Sequence, residues 1–148
     1  MTVLFALLHH LAAFTLVSAL TLEFVLVRQE LTLANARRLR VADAVLGGAE
    51  IVLLLVGLAR VFWFEKGPAY YFGSHAFLAK LSLFVIVALL SAVPTIEFLR
   101  WRKATQQGQL PVLDPAKFRT VRMIIHVELA AIVLILLFAA IMAKGGWT

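Results

Sequence analysis

Two successive histidines, His9 and His10, and a single lysine, Lys80, stand inside long apolar runs. An ionisable side chain within a run long enough to cross a bilayer is costly, and it faces a bundle interior, a cavity or a partner. At ~1.5 Å of rise per residue, counting from the outer ends of their runs, all three fall roughly 9 to 10 Å into the hydrocarbon. An imidazole and an amine offered at one level by two helices make a pair of axial ligands for haem b, or a proton-handling pair. The plainer alternative is that the histidines sit near the interface and Lys80 snorkels outward, at the limit of its reach. His9 and His10 point about 100° apart, so both cannot face one site. Glu23 lies about 40° from His9 around the helical wheel, which favours His9 as the inward residue. Arg60, near the same level as the outer ends, either pairs with Glu65 or receives a haem propionate, with Lys66, Tyr70 and Tyr71 close by.

A second group of ionisable residues lies toward the opposite ends of the runs: Glu23, Asp43, Glu50, Glu97, Arg122, His126 and Glu128. Glu50 and Glu128 are the deepest, each about 13 Å from that end. Asp43, Glu50 and Gly57 are spaced by seven and share one stripe, and with Gly47 they predict a close-packed polar seam. Arg122 and His126 are i,i+4 neighbours, whereas Glu128 lies on nearly the opposite face. Only one of those faces can look into a bundle core, and the other would meet a second subunit in a homodimer. The acids and Arg122 make either a network that fixes helix register, or a proton path or quinone site. No HExxH, P-loop or GxSxG pattern is present, so zinc hydrolase, NTPase and serine-hydrolase readings have no residues to stand on.

The elements that must position these groups are four apolar segments, at about residues 3–27, 41–64, 74–99 and 119–143. Roughly 20 residues cross a ~30 Å hydrocarbon core, so each segment spans with some tilt. None alternates as a membrane strand would, and a backbone in lipid must satisfy its own hydrogen bonds, so helices follow. Of the 148 residues, 63% are hydrophobic and only 15% charged. The mean hydropathy is +0.97, well above a soluble chain. With no cysteine, disulfides and thiolate chemistry are excluded. The first run is too long for a signal-peptide core and lacks its flanks, so it is expected to be retained.

A net charge of +6 would suggest nucleic acid in a soluble protein. Here the cations cluster in two connections: Arg28, Arg37, Arg38 and Arg40, then Arg100, Arg102, Lys103 and Lys117. The middle connection offers only Glu65 and Lys66. The positive-inside rule therefore puts the first and third connections in the cytoplasm and both termini outside it; nucleic acid is not implied. The expected fold is all-α: one domain over residues 1–148, an integral-membrane antiparallel four-helix bundle joined by short loops. Pro94 should bend the third span, with Ser91 or Thr95 helping to restore hydrogen bonding to the freed Leu90 carbonyl.

Two resemblances arise at these residues. The stretch Arg60-Val-Phe-Trp-Phe-Glu-Lys-Gly-Pro-Ala-Tyr-Tyr71, and Leu90-Ser-Ala-Val-Pro-Thr95 continuing to Arg102, resemble an uncharacterised family of four-helix bacterial inner-membrane proteins over nearly the whole chain. The overall plan is also distantly similar to HemJ-type protoporphyrinogen oxidases and their CopD-like relatives. In HemJ an early histidine of the first helix and an early lysine of the third are taken to hold haem b. Leu8-His9-His10-Leu11 and Leu78-Ala79-Lys80-Leu81 resemble those places. HemJ has a histidine where this chain has Leu78, and its Asn-Glu-x-Pro pattern is represented by Val127-Glu128 without the proline. The resemblance implies a membrane redox protein acting on a porphyrinogen or a quinone. A small transporter or binding module using the acid-rich layer, and a structural accessory subunit, are the competing readings.

Overall fold

The computed structural model describes residues 1–147 and is all-α. Its helices are α1 (Thr2–Leu26), α2 (Leu33–Ala59), α3 (Pro68–Phe72), α4 (His75–Arg100), α5 (Arg102–Gln106) and α6 (Pro115–Ala143). A π-helical turn, Arg60–Phe64, continues α2. Four helices are long and apolar enough to cross a membrane: α1, α2 with its π-turn, α4 and α6. Large apolar side chains such as Leu55, Leu89, Val133 and Leu136 cover the outside of the bundle, as a bilayer requires.

The four long helices form a ring. Contacts are most extensive between α1 and α2 and between α4 and α6, and α2–α4 and α1–α6 pairs close the circle. The diagonal pairs α1–α4 and α2–α6 make no helix–helix contact of their own among the described residues. Consecutive helices joined by short connections and packed on each other run antiparallel. One end carries the arginines and the other carries the aromatic π-turn and α3. Leu16, Leu20, Leu39, Leu46, Val121 and Ile125 belong to the core.

Two helices begin earlier than the sequence expectation, and both have a local reason. α2 starts at Leu33, not near residue 41, because Thr32 caps it: its side-chain oxygen accepts the Asn35 N–H at 3.1 Å. Arg37, Arg38 and Arg40 are therefore on the first turns of a helix and not in a loop. α6 starts at Pro115 and not near residue 119. Asp114 accepts the Ala116 N–H at 2.9 Å, and Pro115 occupies the first position, where a missing N–H costs nothing. At the aromatic end, Gly67 takes φ +87°, a left-handed conformation that admits glycine easily, and delivers Pro68 to the start of α3.

The arginines hold their end of the bundle together. The Thr105 carbonyl accepts from Arg37 Nε at 3.3 Å and Nη2 at 2.9 Å, and the Thr105 hydroxyl lies 2.7 Å from Arg40 Nη1. Thr105 is 1% exposed, and so α5 is pinned to the start of α2. Beside it, Trp101 packs between Phe98 and Phe118 at centroid distances of 5.0 and 6.1 Å. Thr105→Val deletes the hydroxyl but keeps the carbonyl. It should cost about 1 kcal/mol and lower the thermal unfolding midpoint in detergent, whereas Arg38→Gln, at an exposed position, should leave the midpoint unchanged.

A candidate cofactor cavity and a buried carboxyl layer

A cavity of about 230 Å³ lies in the half of the bundle that carries the π-turn and α3, termed the outer half, and is lined by residues from all four long helices. Its walls are apolar, among them Leu53, Phe77, Phe84 and Ile135. Its polar groups are His9 from α1, Arg60 from the π-turn, Lys80 from α4, and Glu65 and Tyr71 from the connection. His9 and Lys80 thus belong to diagonal helices and reach one space between them.

The histidines separate as the helical wheel suggests. His9 is half-buried, its ring against Gly57, where an added Cβ would meet His9 Cε1 at 3.4 Å. His9 Nδ1 is buried with no hydrogen-bond partner. His10 is exposed and outside the cavity, with Nδ1 2.6 Å from the Ala6 carbonyl one turn earlier. Lys80 is half-buried, and its amine lies 5.4 Å from the Phe77 ring centroid.

Arg60 donates from Nε and Nη2 to Glu65 Oε1, and Tyr71 donates its hydroxyl to Glu65 Oε2 at 2.8 Å. Of the two sequence alternatives for Arg60, the pairing with Glu65 is the arrangement present. The hydrogen bond from Arg60 holds the Glu65 carboxyl below the usual carboxylate range. Lys66 stays outside this group, 3.2 Å from the Tyr70 hydroxyl and 4.3 Å from its ring centroid.

The inner layer is acidic. Glu23, Asp43, Glu50 and Glu128 are all buried, contributed by α1, α2, α2 and α6. From α4, the Thr95 hydroxyl lies 2.7 Å from Asp43 Oδ1. The Ser91 hydroxyl oxygen lies 2.7 Å from Glu50 Oε1 and 2.9 Å from both Glu128 Oε1 and the Val87 carbonyl.

Three expectations are corrected here. Arg122 and His126 do not join the acids: both are exposed, Arg122 Nε donates to the Val27 carbonyl at 2.7 Å, and His126 stacks on Phe24 at 6.0 Å. The face of α6 that looks inward is therefore that of Glu128. Ser91 and Thr95 serve carboxyl groups and the Val87 carbonyl, and make no hydrogen bond to Leu90. The tight seam fails at Gly47, where an added Cβ would meet nothing within 4 Å, and holds at Gly57. Ser91 and Thr95 had a sequence signal: an i,i+4 pair of hydroxyls opposite acids spaced by seven.

The family described as "Predicted membrane protein (DUF2214)" matches residues 1–146. The chain belongs to this family. The match meets the resemblance to a membrane family read from the sequence, and DUF2214 membership adds location without assigning chemistry. No curated protein and no solved structure matches the chain.

Tyr71 is the group at the cavity whose ionisation can be read directly. Burial first, then its hydrogen bond to Glu65, push the phenol from 10.0 to about 12. Glu65→Gln removes the carboxylate and leaves the burial, so the Tyr71 midpoint should move part of the way back toward 10.0. Ultraviolet titration of the Tyr70→Phe protein, which leaves a single tyrosine, with and without Glu65→Gln, measures this.

Proposed function

We propose that this is a bacterial inner-membrane protein that holds haem b in the outer cavity and does redox chemistry on a porphyrinogen or quinone. The observation that carries the reading is His9 Nδ1, buried without a partner in a cavity that Lys80 lines from the diagonal helix. Buried polar atoms are almost always paired, so an unpaired imidazole nitrogen on a residue that lines a cavity suggests a missing ligand. The donor chemistry fits: an imidazole and an amine are both competent iron ligands when neutral, and Gly57 leaves the His9 ring its place. His10, tied to Ala6, is the weaker candidate of the two histidines. The likeness to HemJ-type proteins at His9 and Lys80 points the same way.

The group would supply one-electron chemistry at a potential set by the residues that hold it and by their surroundings. The chain's own contributions are distinct. His9 and Lys80 would hold the metal, the apolar walls would exclude water and accept a flat apolar substrate, and Arg60 would meet a carboxylate by exchanging its bond to Glu65. Tyr71 would keep its hydrogen bond to Glu65 Oε2 through that exchange.

The test is the visible spectrum of purified protein made with added haem precursor. The expected result is a Soret band that moves on reduction, is lost or reshaped in Lys80→Ala and His9→Ala, and is unchanged in Lys66→Ala. A missing Soret band selects the binding-module or accessory-subunit reading. A normal spectrum in Lys80→Ala, His9→Ala and His10→Ala overturns the ligand assignment.

The orientation follows from the cations. Arg37, Arg38, Arg40, Arg102 and Lys103 all lie at one end of the bundle, which supports a cytoplasmic position for that end and both termini outside. Alkaline phosphatase should be inactive when fused after Gly108 and active when fused after Thr148. An active fusion after Gly108 reverses the orientation.

A further inference from the structure

We infer that the inner half of the bundle contains a proton-binding site, centred on Glu50, Ser91 and Glu128, with Glu23 buried and unpaired in the same layer. This reading does not depend on haem in the outer cavity.

The argument begins with counting hydrogens. A serine hydroxyl has one hydrogen to give and two lone pairs to receive with. Around Ser91 Oγ stand three oxygens at hydrogen-bond distance: Glu50 Oε1 at 2.7 Å, Glu128 Oε1 at 2.9 Å and the Val87 carbonyl at 2.9 Å. Ionised carboxylates and carbonyls only accept. One hydrogen cannot fill three such contacts. The two carboxyl contacts are both satisfied when one carboxyl is protonated and donates to Ser91 while Ser91 donates to the other; all three contacts are satisfied when both carboxyls are protonated and Ser91 donates to the Val87 carbonyl. The geometry therefore calls for at least one proton on the Glu50–Glu128 pair.

Charge counting agrees. The buried ionisable groups of this layer are all acids: Glu23, Asp43, Glu50 and Glu128. The two ion pairs among the described residues, Arg60–Glu65 and Arg100–Glu97, lie elsewhere. The nearby cations are turned away: Arg122 onto the Val27 carbonyl, Arg28 onto the Phe24 ring at 3.6 Å. On α4 the groups facing the acids are the neutral Ser91 and Thr95. Removing an ion from water without a partner costs several kcal/mol even after relaxation, so protons are the cations that can accompany this cluster.

The independent pointer to exchange is Glu23. It is 0% exposed, and neither carboxyl oxygen has a hydrogen-bond partner; Glu128 Oε2 is buried and unpaired as well. A purely structural buried acid is bonded through its oxygens, because an orphaned polar group costs its full desolvation. Here three carboxyl oxygens are left open in the layer that holds the Ser91-linked acids. Between Glu50 and Glu128 a proton can pass through the Ser91 hydroxyl, which accepts from RCO₂H on one side and donates to RCO₂⁻ on the other, so the two carboxyls exchange identities with no other reactant. Metal binding is the other cation chemistry of a carboxyl cluster, but no three His, Asp or Glu among the described residues are arranged to hold an ion.

The experiment is infrared spectroscopy of the purified full-length chain, supported by carbodiimide mapping. A carboxylic-acid C=O stretching band should be present at neutral pH, shift on exchange into D₂O, weaken in Ser91→Ala, and lose the part due to Glu50 and Glu128 when Glu50→Gln and Glu128→Gln are combined. Dicyclohexylcarbodiimide, which takes up the proton of an apolar carboxylic acid and then bonds its oxygen, should label the Glu23, Glu50 or Glu128 peptides. It should not label those of the exposed Glu30 and Glu65, and the labelling should fall as pH rises. Mapping uses the wild-type chain, so it decides the matter even if the double variant does not fold. A neutral-pH spectrum without the acid band, or labelling confined to exposed acids, overturns the proposal. Loss of the band on adding sodium at constant pH also overturns it, in favour of a metal-ion site.

Discussion

Hydrocarbon offers no hydrogen bonds, so every polar side chain between these helices must find its partner in the protein. Ser91 is where that constraint is met most densely. One hydroxyl on α4 reaches an acid on α2 and an acid on α6, which lie across the ring from each other and share no helix–helix contact. Thr95, one turn along and just past Pro94, ties α2 again through Asp43. Lipid tails are as apolar as leucine, so apolar burial gives these helices little reason to associate. The hydroxyl–carboxyl links therefore decide which helix faces look inward, and with them which residues line the outer cavity.

The two polar layers use the two diagonals of the ring. The outer layer sets His9 on α1 opposite Lys80 on α4, and the inner layer sets Glu50 on α2 opposite Glu128 on α6. Gly57 joins the levels: it shares a stripe with Glu50, two turns away or roughly 10 Å, and supplies the surface on which His9 rests. Above it, Phe5 stacks on Phe64 at 4.2 Å and Phe77 packs against Tyr71 and Phe72, which closes the aromatic end around the Arg60–Glu65–Tyr71 group. The π-turn matters here, because an extra residue in the turn shifts the direction in which the residues of Arg60–Phe64 leave α2.

Much of this was legible in the sequence, for physical reasons that can be named. Length and hydropathy reveal the spans because a bilayer sets both. Rise per residue sorts the ionisable groups into two layers, and helical phase separates His9 from His10. The start of α2 was hidden because arginines between apolar runs look like a loop, although Thr32 is a cap and the residues after it favour helix. The inward face of α6 was ambiguous, since Arg122 with His126 and Glu128 each make a plausible interior. The choice is tertiary: Ser91 on α4 supplies a partner to Glu128, while Arg122 reaches the Val27 carbonyl. For the same reason Ser91 and Thr95 read in sequence as aids to a proline kink.

The partition of charge bears on what the inner layer is for. A network of ion pairs that fixes helix register keeps its cations beside its acids. Here the long cationic side chains leave the interior, to a carbonyl, to aromatic rings and to Thr105. The short acidic side chains cannot leave. Four carboxyl groups remain with two hydroxyls as their only described partners, and three of the carboxyl oxygens have none. Apolar side chains of similar volume would pack such a core without the desolvation cost. A bundle that retains acids at this depth, and exports the cations that would neutralise them, is what the proton-binding site inferred at Glu50, Ser91 and Glu128 would require.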